Sequence, residues 1–245
     1  MGFYITQATG EREHIRYRKS TARGDIAIVD CVMEGVELRL LLMSDIQESA
    51  VFLEKDKRYD APFRYIDHFM DIVKRHPHPG RILLIGGAGF AFPRTFFGSG
   101  QKGTMDVVEL DPRMVKLARR YFFLDELERD FRLKKDSRLN IYVQDGMEYL
   151  NNTDEKYDII FNDAYIGNTP DRGLSSDEGV ASCKSHLTQG GVLVVNVITT
   201  LIGEGSMPGK ITKSILENYF DNVTIYPCNP ALSPLSRQNC MLVGE

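Results

Sequence analysis

Four groups of residues have the types and spacing to act on one ligand, and each follows an apolar run. Ile82-Leu83-Leu84-Ile85 leads straight into Gly86-Gly87-Ala88-Gly89. A glycine-rich turn after a strand lets the backbone approach a ligand closely and permits positive φ. Twenty residues beyond Gly89, Val107-Val108 delivers Glu109 and, after Leu110, Asp111. A carboxylate at the end of a second strand can accept both hydroxyls of a ribose, and Glu109 is the residue placed to do so. Asp111 also suits a cap on the helix that Pro112 would open. Gln144-Asp145-Gly146 follows a third run. Asp145 can cap the next helix with one oxygen and accept from an adenine amino group with the other. Tyr157–Asn162 carries Asp163 to the same sheet edge, where it would meet a reacting amine or a donor. The dinucleotide pattern G-x-G-x-x-G fails, because Phe92 stands at its third glycine. Taken in this order, the four groups point to a site for an S-adenosyl-type nucleoside.

The chain pattern supplies elements that would position these residues. The first ~60 residues read as β structure, with apolar runs Ile26–Met33 and Val36–Met43 split by Glu34-Gly35, a tight-turn pair. A helix over about 61–76 follows, with Phe63, Ile66, Phe69, Met70 and Val73 at helical spacing, until Pro77-His78-Pro79-Gly80 ends it. Strands and helices alternate from there. Expected strands are Ile82–Gly86, Met105–Leu110, Asn140–Gln144, Tyr157–Asn162, Gly191–Ile198, Asn222–Pro227 and Asn239–Val243. Expected helices are Pro112–Phe122, Gly146–Asn151, Ser176–Leu187 and Pro208–Tyr219. This alternation predicts an α/β fold: a Rossmann-like, doubly wound sheet of the S-adenosylmethionine-dependent methyltransferase type. Its last two strands, joined by a turn-rich loop, should form an antiparallel hairpin at the sheet edge. The expected division is a small N-terminal β region over 1–60 and a nucleoside-binding domain over 61–245.

Composition narrows the function classes. A net charge of −4 argues against a long electropositive groove for nucleic acid. The basic cluster Arg129, Arg132, Lys134, Lys135 and Arg138 is interleaved with Asp130 and Asp136 and reads as a solvated face. No apolar run reaches the ~18–20 residues of a membrane span. The four cysteines form no Cys-x-x-Cys pair, which suits reduced thiols in the cytoplasm, and no metal site is expected.

The chain resembles the spermidine synthase family of polyamine aminopropyltransferases, from about Asp25 to the C-terminus. The resemblance rests on Asp45-Ile46-Gln47, Tyr65 and Asp67, Ile85–Gly89, Val108–Pro112, Asp145-Gly146 and Tyr157–Ile160. It is nearer to a divergent spermidine-synthase-like branch whose loop runs G-G-x-x-x-x-x-P-R, as Gly86 to Arg94 does here. The resemblance implies a donor bound by Gln47, Gly86, Gly87, Gly89, Glu109, Asp111, Asp145, Gly146 and Asp163. The donor would be S-adenosylmethionine or its decarboxylated form, with no metal. Asp163 would orient or deprotonate a small amine acceptor, with Tyr65 and Tyr165 walling the pocket. An aminopropyl or other alkyl group would pass to that amine, and the protein would form a homodimer or larger assembly.

Departures from the family shape the substrate expectation. Gly89 and Ile166 stand where the family carries acids. A buried ammonium without a counter-charge costs on the order of several kcal/mol, so diamine recognition should weaken. A donor that keeps its carboxylate should also meet less repulsion. The alternatives are a methyltransferase for a small molecule or protein, one of them a metal-dependent O-methyltransferase using Asp163 and Asn196, and a nucleoside-binding homologue without catalysis.

Overall fold

The computed structural model describes residues 13–22, 24–33, 35–76, 79–166 and 169–245. Contacts group the chain into two compact units. One takes in Met1–Met70, Gly87–Lys102 and Asp111–Arg138; the other takes in Asp71–Gly86, Gly103–Leu110 and Leu139–Glu245.

The first unit is built on a four-stranded antiparallel sheet in the order β1 (Glu13–Thr21), β2 (Gly24–Met33), β3 (Val36–Met43), β4 (Ile46–Phe52). The β2–β3 register closes on Met33 opposite Val36, so the two apolar runs do form a tight hairpin. Gly35 has φ 78°, while Glu34 lies outside the described residues. Residues 26–31 are all buried, because the sheet is covered on both faces. Ala27, Val29 and Cys31 pack with Leu38, Leu40 and Phe52 on one face. Ile26 and Ile28 pack with Val51, Met114, Leu117 and Phe122 on the other. Burial on both faces erases the polar alternation of a half-exposed strand.

Helix α1 (Arg64–Arg75) starts three residues later than its apolar spacing suggested. Pro77 and His78, read as its terminator, lie outside the described residues. Two further helices in the first unit escape the sequence pattern. The first is α2 (Ala91–Gly98); its flank Phe90 has φ 56° and gives no side-chain cap. Helix α3 (Pro112–Tyr121) begins as expected, capped by Asp111. The second is α4 (Leu124–Asp130), which opens from Phe123 at φ 57°, again without a side-chain cap. Ser, Thr, Asp or Asn is the usual start signal, and neither helix has one.

The second unit holds a seven-stranded sheet. Its strands in chain order are β5 (Arg81–Ile85), β6 (Thr104–Glu109), β7 (Leu139–Val143), β8 (Tyr157–Asn162), β11 (Leu187–Thr199), β12 (Val223–Pro227) and β13 (Gln238–Gly244). A short two-stranded ribbon, β9 (Tyr165–Ile166) and β10 (Thr169–Pro170), follows β8. Helices α5 (Gly146–Asn151), α6 (Asp177–Ser185) and α7 (Met207–Leu216) complete the unit. The strand order is β12-β13-β11-β8-β5-β6-β7. Strands β5, β6, β7, β8 and β11 pair in parallel, so their carboxyl ends share one edge. The winding reverses between β5 and β8, the switch point at which open α/β sheets bind ligands. β13 runs antiparallel to both β11 and β12, which bears out the expected edge hairpin and puts β12 outermost.

Strand β11 begins earlier than its apolar run. Leu187 already pairs with Tyr157, and the register then shifts before Val192 pairs with Ile159. Gly190, at φ 77°, sits inside that irregularity and interrupts the pattern.

A polar network is buried within this sheet. Asp106 on β6 is fully buried and accepts from Arg81 Nε at 2.9 Å, Tyr157 Oη at 2.9 Å and Asn140 Nδ2 at 2.7 Å. Burial pushes the Tyr157 hydroxyl far up, with Tyr149 and Asp106 adding to it, so it remains a donor. Part-exposed Arg81 keeps Glu155 as a second partner, but loss of the buried carboxylate leaves the Tyr157 hydroxyl and the Asn140 amide without their acceptor. Asp106→Ala should therefore lower unfolding free energy by about 3–5 kcal/mol, read as a fall in the urea midpoint; a loss under about 1 kcal/mol would show the pair to behave as a surface one.

Candidate functional site

The carboxyl edge of the seven-stranded sheet gathers most of the residues singled out above. Gly86 leaves β5 with φ 99° and donates its N–H to Val108 O at 2.9 Å. A Cβ at Gly86 would stand 2.4 Å from Asp163 O and 2.7 Å from its carbonyl carbon. Asp163 in turn donates its backbone N–H to Ile85 O at 2.9 Å. The missing side chain thus allows the end of β8 to lie directly on the end of β5, and it sets where Asp163 stands.

Glu109 is the last residue of β6, opposite Val143 on β7, and only 8% exposed. Its carboxylate sits at the rim and not out in solvent. Asp145 caps α5 with a single oxygen: Oδ1 accepts from Met147 N at 2.9 Å and from Glu148 N at 3.0 Å. Its Oδ2 takes no part in the cap. Gly146 is buried as the first residue of α5.

Asp163 is tied to the next strand. Its Oδ1 accepts from Asn196 Nδ2 at 2.7 Å, and Asn196 Oδ1 accepts from Asn239 Nδ2 at 3.0 Å. Asn196 on β11 thus holds the carboxylate directly, and Asn239 on β13 holds Asn196. Sequence pattern alone did not single out Asn239, because an amide in an antiparallel strand carries no local signal. The Tyr165 hydroxyl donates to Asn196 O and accepts from Ile198 N, each at 2.9 Å. Burial, and then the charge of Asp163, push that hydroxyl well above the usual phenol range, so it stays protonated.

The remaining residues belong to the other unit. Gln47 lies on β4, and its buried Nε2 has no hydrogen-bond partner among the described residues. A buried donor left unmade costs about 1–3 kcal/mol. Asp111 caps α3 and spends both oxygens on Arg113, with Nε at 2.9 and 3.0 Å and Nη2 at 2.5 Å. Tyr65 stacks on Phe63, with ring centroids 6.0 Å apart, and meets Phe69 edge-on at 5.6 Å.

Gly87 and Gly89 continue the turn that Gly86 opens, and the loop is anchored from below. Arg94 is fully buried and donates to three main-chain carbonyls: Gly89, Ala50 at 2.6 Å and Phe122 at 3.3 Å. Burial pushes its guanidinium down to about 9. Arg94 entered the sequence reading only as part of a loop pattern; its anchoring role depends on Ala50 and Phe122, which are remote in the chain. Ser49 accounts for the missing loop acid. A Cβ at Gly89 would stand 2.4 Å from Ser49 Oγ and 2.5 Å from its Cβ, so an acidic side chain there has no room.

Among the described residues, no group of three or more His, Cys, Asp or Glu is placed to hold a metal ion, and no helix is long and apolar enough to cross a membrane. The steric role of Gly86 has a direct test. Gly190 also has positive φ, at 77°, but a Cβ there meets nothing within 4 Å. Gly190→Ala should cost the backbone strain alone, about 1–2 kcal/mol. Gly86→Ala should cost a further ~1–3 kcal/mol for the collision; equal denaturation midpoints for the two variants would contradict the close-approach account.

The chain is 28% identical over 142 residues to a polyamine aminopropyltransferase of Clostridium beijerinckii, covering 58% of this chain and 46% of that protein. It is 33% identical over 123 residues to one of Streptococcus uberis, covering 49% of this chain and 40% of that protein. These matches therefore take in less than half of either relative's length. The solved spermidine synthase of Thermotoga maritima matches with a TM-score of 0.67 at 18% identity, over 94% of this chain and 72% of that one, which shows a shared fold. The family model described as the spermine/spermidine synthase domain matches residues 63–229, well over half of the sequence. On that match, the chain belongs to the spermine/spermidine synthase family.

Proposed function

We propose that this chain is a transferase that binds an S-adenosyl donor at the carboxyl edge of its seven-stranded sheet and alkylates an amine. The aminopropyl group of decarboxylated S-adenosylmethionine is the first candidate for transfer. The observation that carries the proposal is the convergence on one edge of Gly86, buried Glu109, Asp145 with Oδ2 outside its cap, and Asp163. Glu109 would take the ribose hydroxyls and Asp145 Oδ2 the adenine amino group. Gln47, Gly87 and Gly89 enter through the family relationship, and Asp111 is the weakest member because Arg113 already occupies its carboxylate.

The chemistry needs little from the protein beyond placement. A sulfonium donor is already activated, so proximity and alignment supply most of the rate. Asp163 would hold the acceptor ammonium and take one proton from it. The freed nitrogen lone pair then forms a C–N bond to the carbon next to sulfur as the C–S bond breaks. The bonding pair goes to sulfur, which leaves as a neutral thioether nucleoside. The proton on Asp163 passes to water. Asn196 donates to the Asp163 carboxylate and so fixes its direction throughout.

A thermal-shift panel with S-adenosylmethionine, its decarboxylated form, methylthioadenosine, S-adenosylhomocysteine and NAD tests the reading. A ligand that binds only the folded state at 100 times its Kd adds about 2.7 kcal/mol of stability. At least one adenosine thioether or sulfonium compound should raise Tm, and Glu109→Ala should remove that rise. A shift with NAD alone, or an unchanged shift in the variant, would overturn the proposal.

A further inference from the structure

The same sheet edge carries a positive charge that the transfer chemistry leaves unused. β13 starts at Gln238, which pairs with Thr199, the last residue of β11. The start of β13 therefore stands at the edge reached by Asp163. Arg237 immediately precedes it. Asn239 is the outer member of the pair of amides that leads through Asn196 to Asp163, by contacts of 3.0 and 2.7 Å. Arg237 thus flanks the strand whose Asn239 leads through Asn196 to the acidic group.

The charges agree with this placement. The Tyr165 hydroxyl sits between the backbone of Asn196 and Ile198, and it feels both groups: Asp163 raises it and Arg237 lowers it. Arg237 is exposed, and among the described residues it makes no hydrogen bond or ion pair. Asp171 also approaches this edge, since its N–H donates to Ala164 O at 2.8 Å, but its Oδ1 accepts from Leu174 N at 3.0 Å within its own turn. Beside Arg237, Leu235 is 66% exposed and Ile202 is 52% exposed. Ile202 N donates to Pro234 O at 3.3 Å, which ties these two aliphatic side chains to one surface.

We propose that the acceptor is a zwitterion, an aliphatic primary amine that also carries a carboxylate, with its ammonium at Asp163 and its carboxylate at Arg237. The proposal rests on the reading that Asp163 meets the acceptor amine. A diamine would bring its second positive charge to an arginine, whereas an amino acid brings the opposite charge.

The test compares 4-aminobutanoate with 1,4-diaminobutane, which differ by exchange of one terminal aminomethyl group for a carboxylate. The series 3-aminopropanoate to 6-aminohexanoate is run against diamines of matching length. Release of the thioether nucleoside is followed with S-adenosylmethionine and with its decarboxylated form. Acceptor affinity is measured by calorimetry on protein saturated with methylthioadenosine. At least one amino acid should exceed its matching diamine tenfold in kcat/KM or in affinity. Arg237→Glu should invert that ratio, and Arg237→Lys should largely keep it. Preference for the diamine, a ratio unmoved by Arg237→Glu, or no binding of any amino acid overturns the inference. If the nucleosides still raise Tm in those cases, only the acceptor assignment fails; if they do not, the donor reading fails with it.

Discussion

The arrangement at the sheet edge depends on one contact: the backbone of Asp163 resting on Gly86. Parallel strands bring their carboxyl ends together, but they do not by themselves bring two neighbouring ends into van der Waals contact. Here the position that a Cβ of Gly86 would take lies 2.4 Å from Asp163 O, and the Asp163 N–H reaches back to Ile85 O. The glycine therefore serves two purposes. It turns the chain at positive φ away from β5, and it lets the end of β8 settle against the turn. Any side chain there would push Asp163 outward and stretch its bond to Asn196.

Around this contact the acidic residues are used unequally. Asp106 and Asp111 are committed to arginines, and they hold the sheet and the start of a helix in place. Asp145 is committed through one oxygen only. Asp163 is held by the neutral amide of Asn196, itself held by Asn239, which orients the carboxylate without cancelling its charge. A carboxylate paired with an arginine is a poor partner for an incoming cation, because the pair must first be broken. The same logic gives weight to Arg237, a cation at this edge without an ion-pair partner among the described residues.

Much of the fold could be read from the chain because its signals are local. The run Ile82–Ile85 before a glycine pair, Pro112 after Asp111, and the Asp145-Gly146 start of a helix are each contained within a few residues. The edges of the parallel strands followed from these. What stayed hidden depends on contacts remote in sequence. Helices α2 and α4 start from phenylalanines in left-handed conformation, and burial of Phe92, Phe96 and Phe97 in the first and of Leu124 and Leu127 in the second, not a capping side chain, sustains them. The support of Asp163 by Asn239 arises from the register of an antiparallel strand that enters the sheet last. The absence of an acid at position 89 was plain in the sequence, but its cause, the side chain of Ser49 from β4, needed the fold.

The central claim is that this edge cradles an adenosine thioether or sulfonium compound. A crystal structure with methylthioadenosine tests it most directly. The account predicts ribose hydroxyls within hydrogen-bond distance of Glu109, the adenine amino group at Asp145 Oδ2, and sulfur on the side of Asp163. A nucleoside bound away from the edge, or bound there with Glu109 and Asp145 both out of reach, would contradict it.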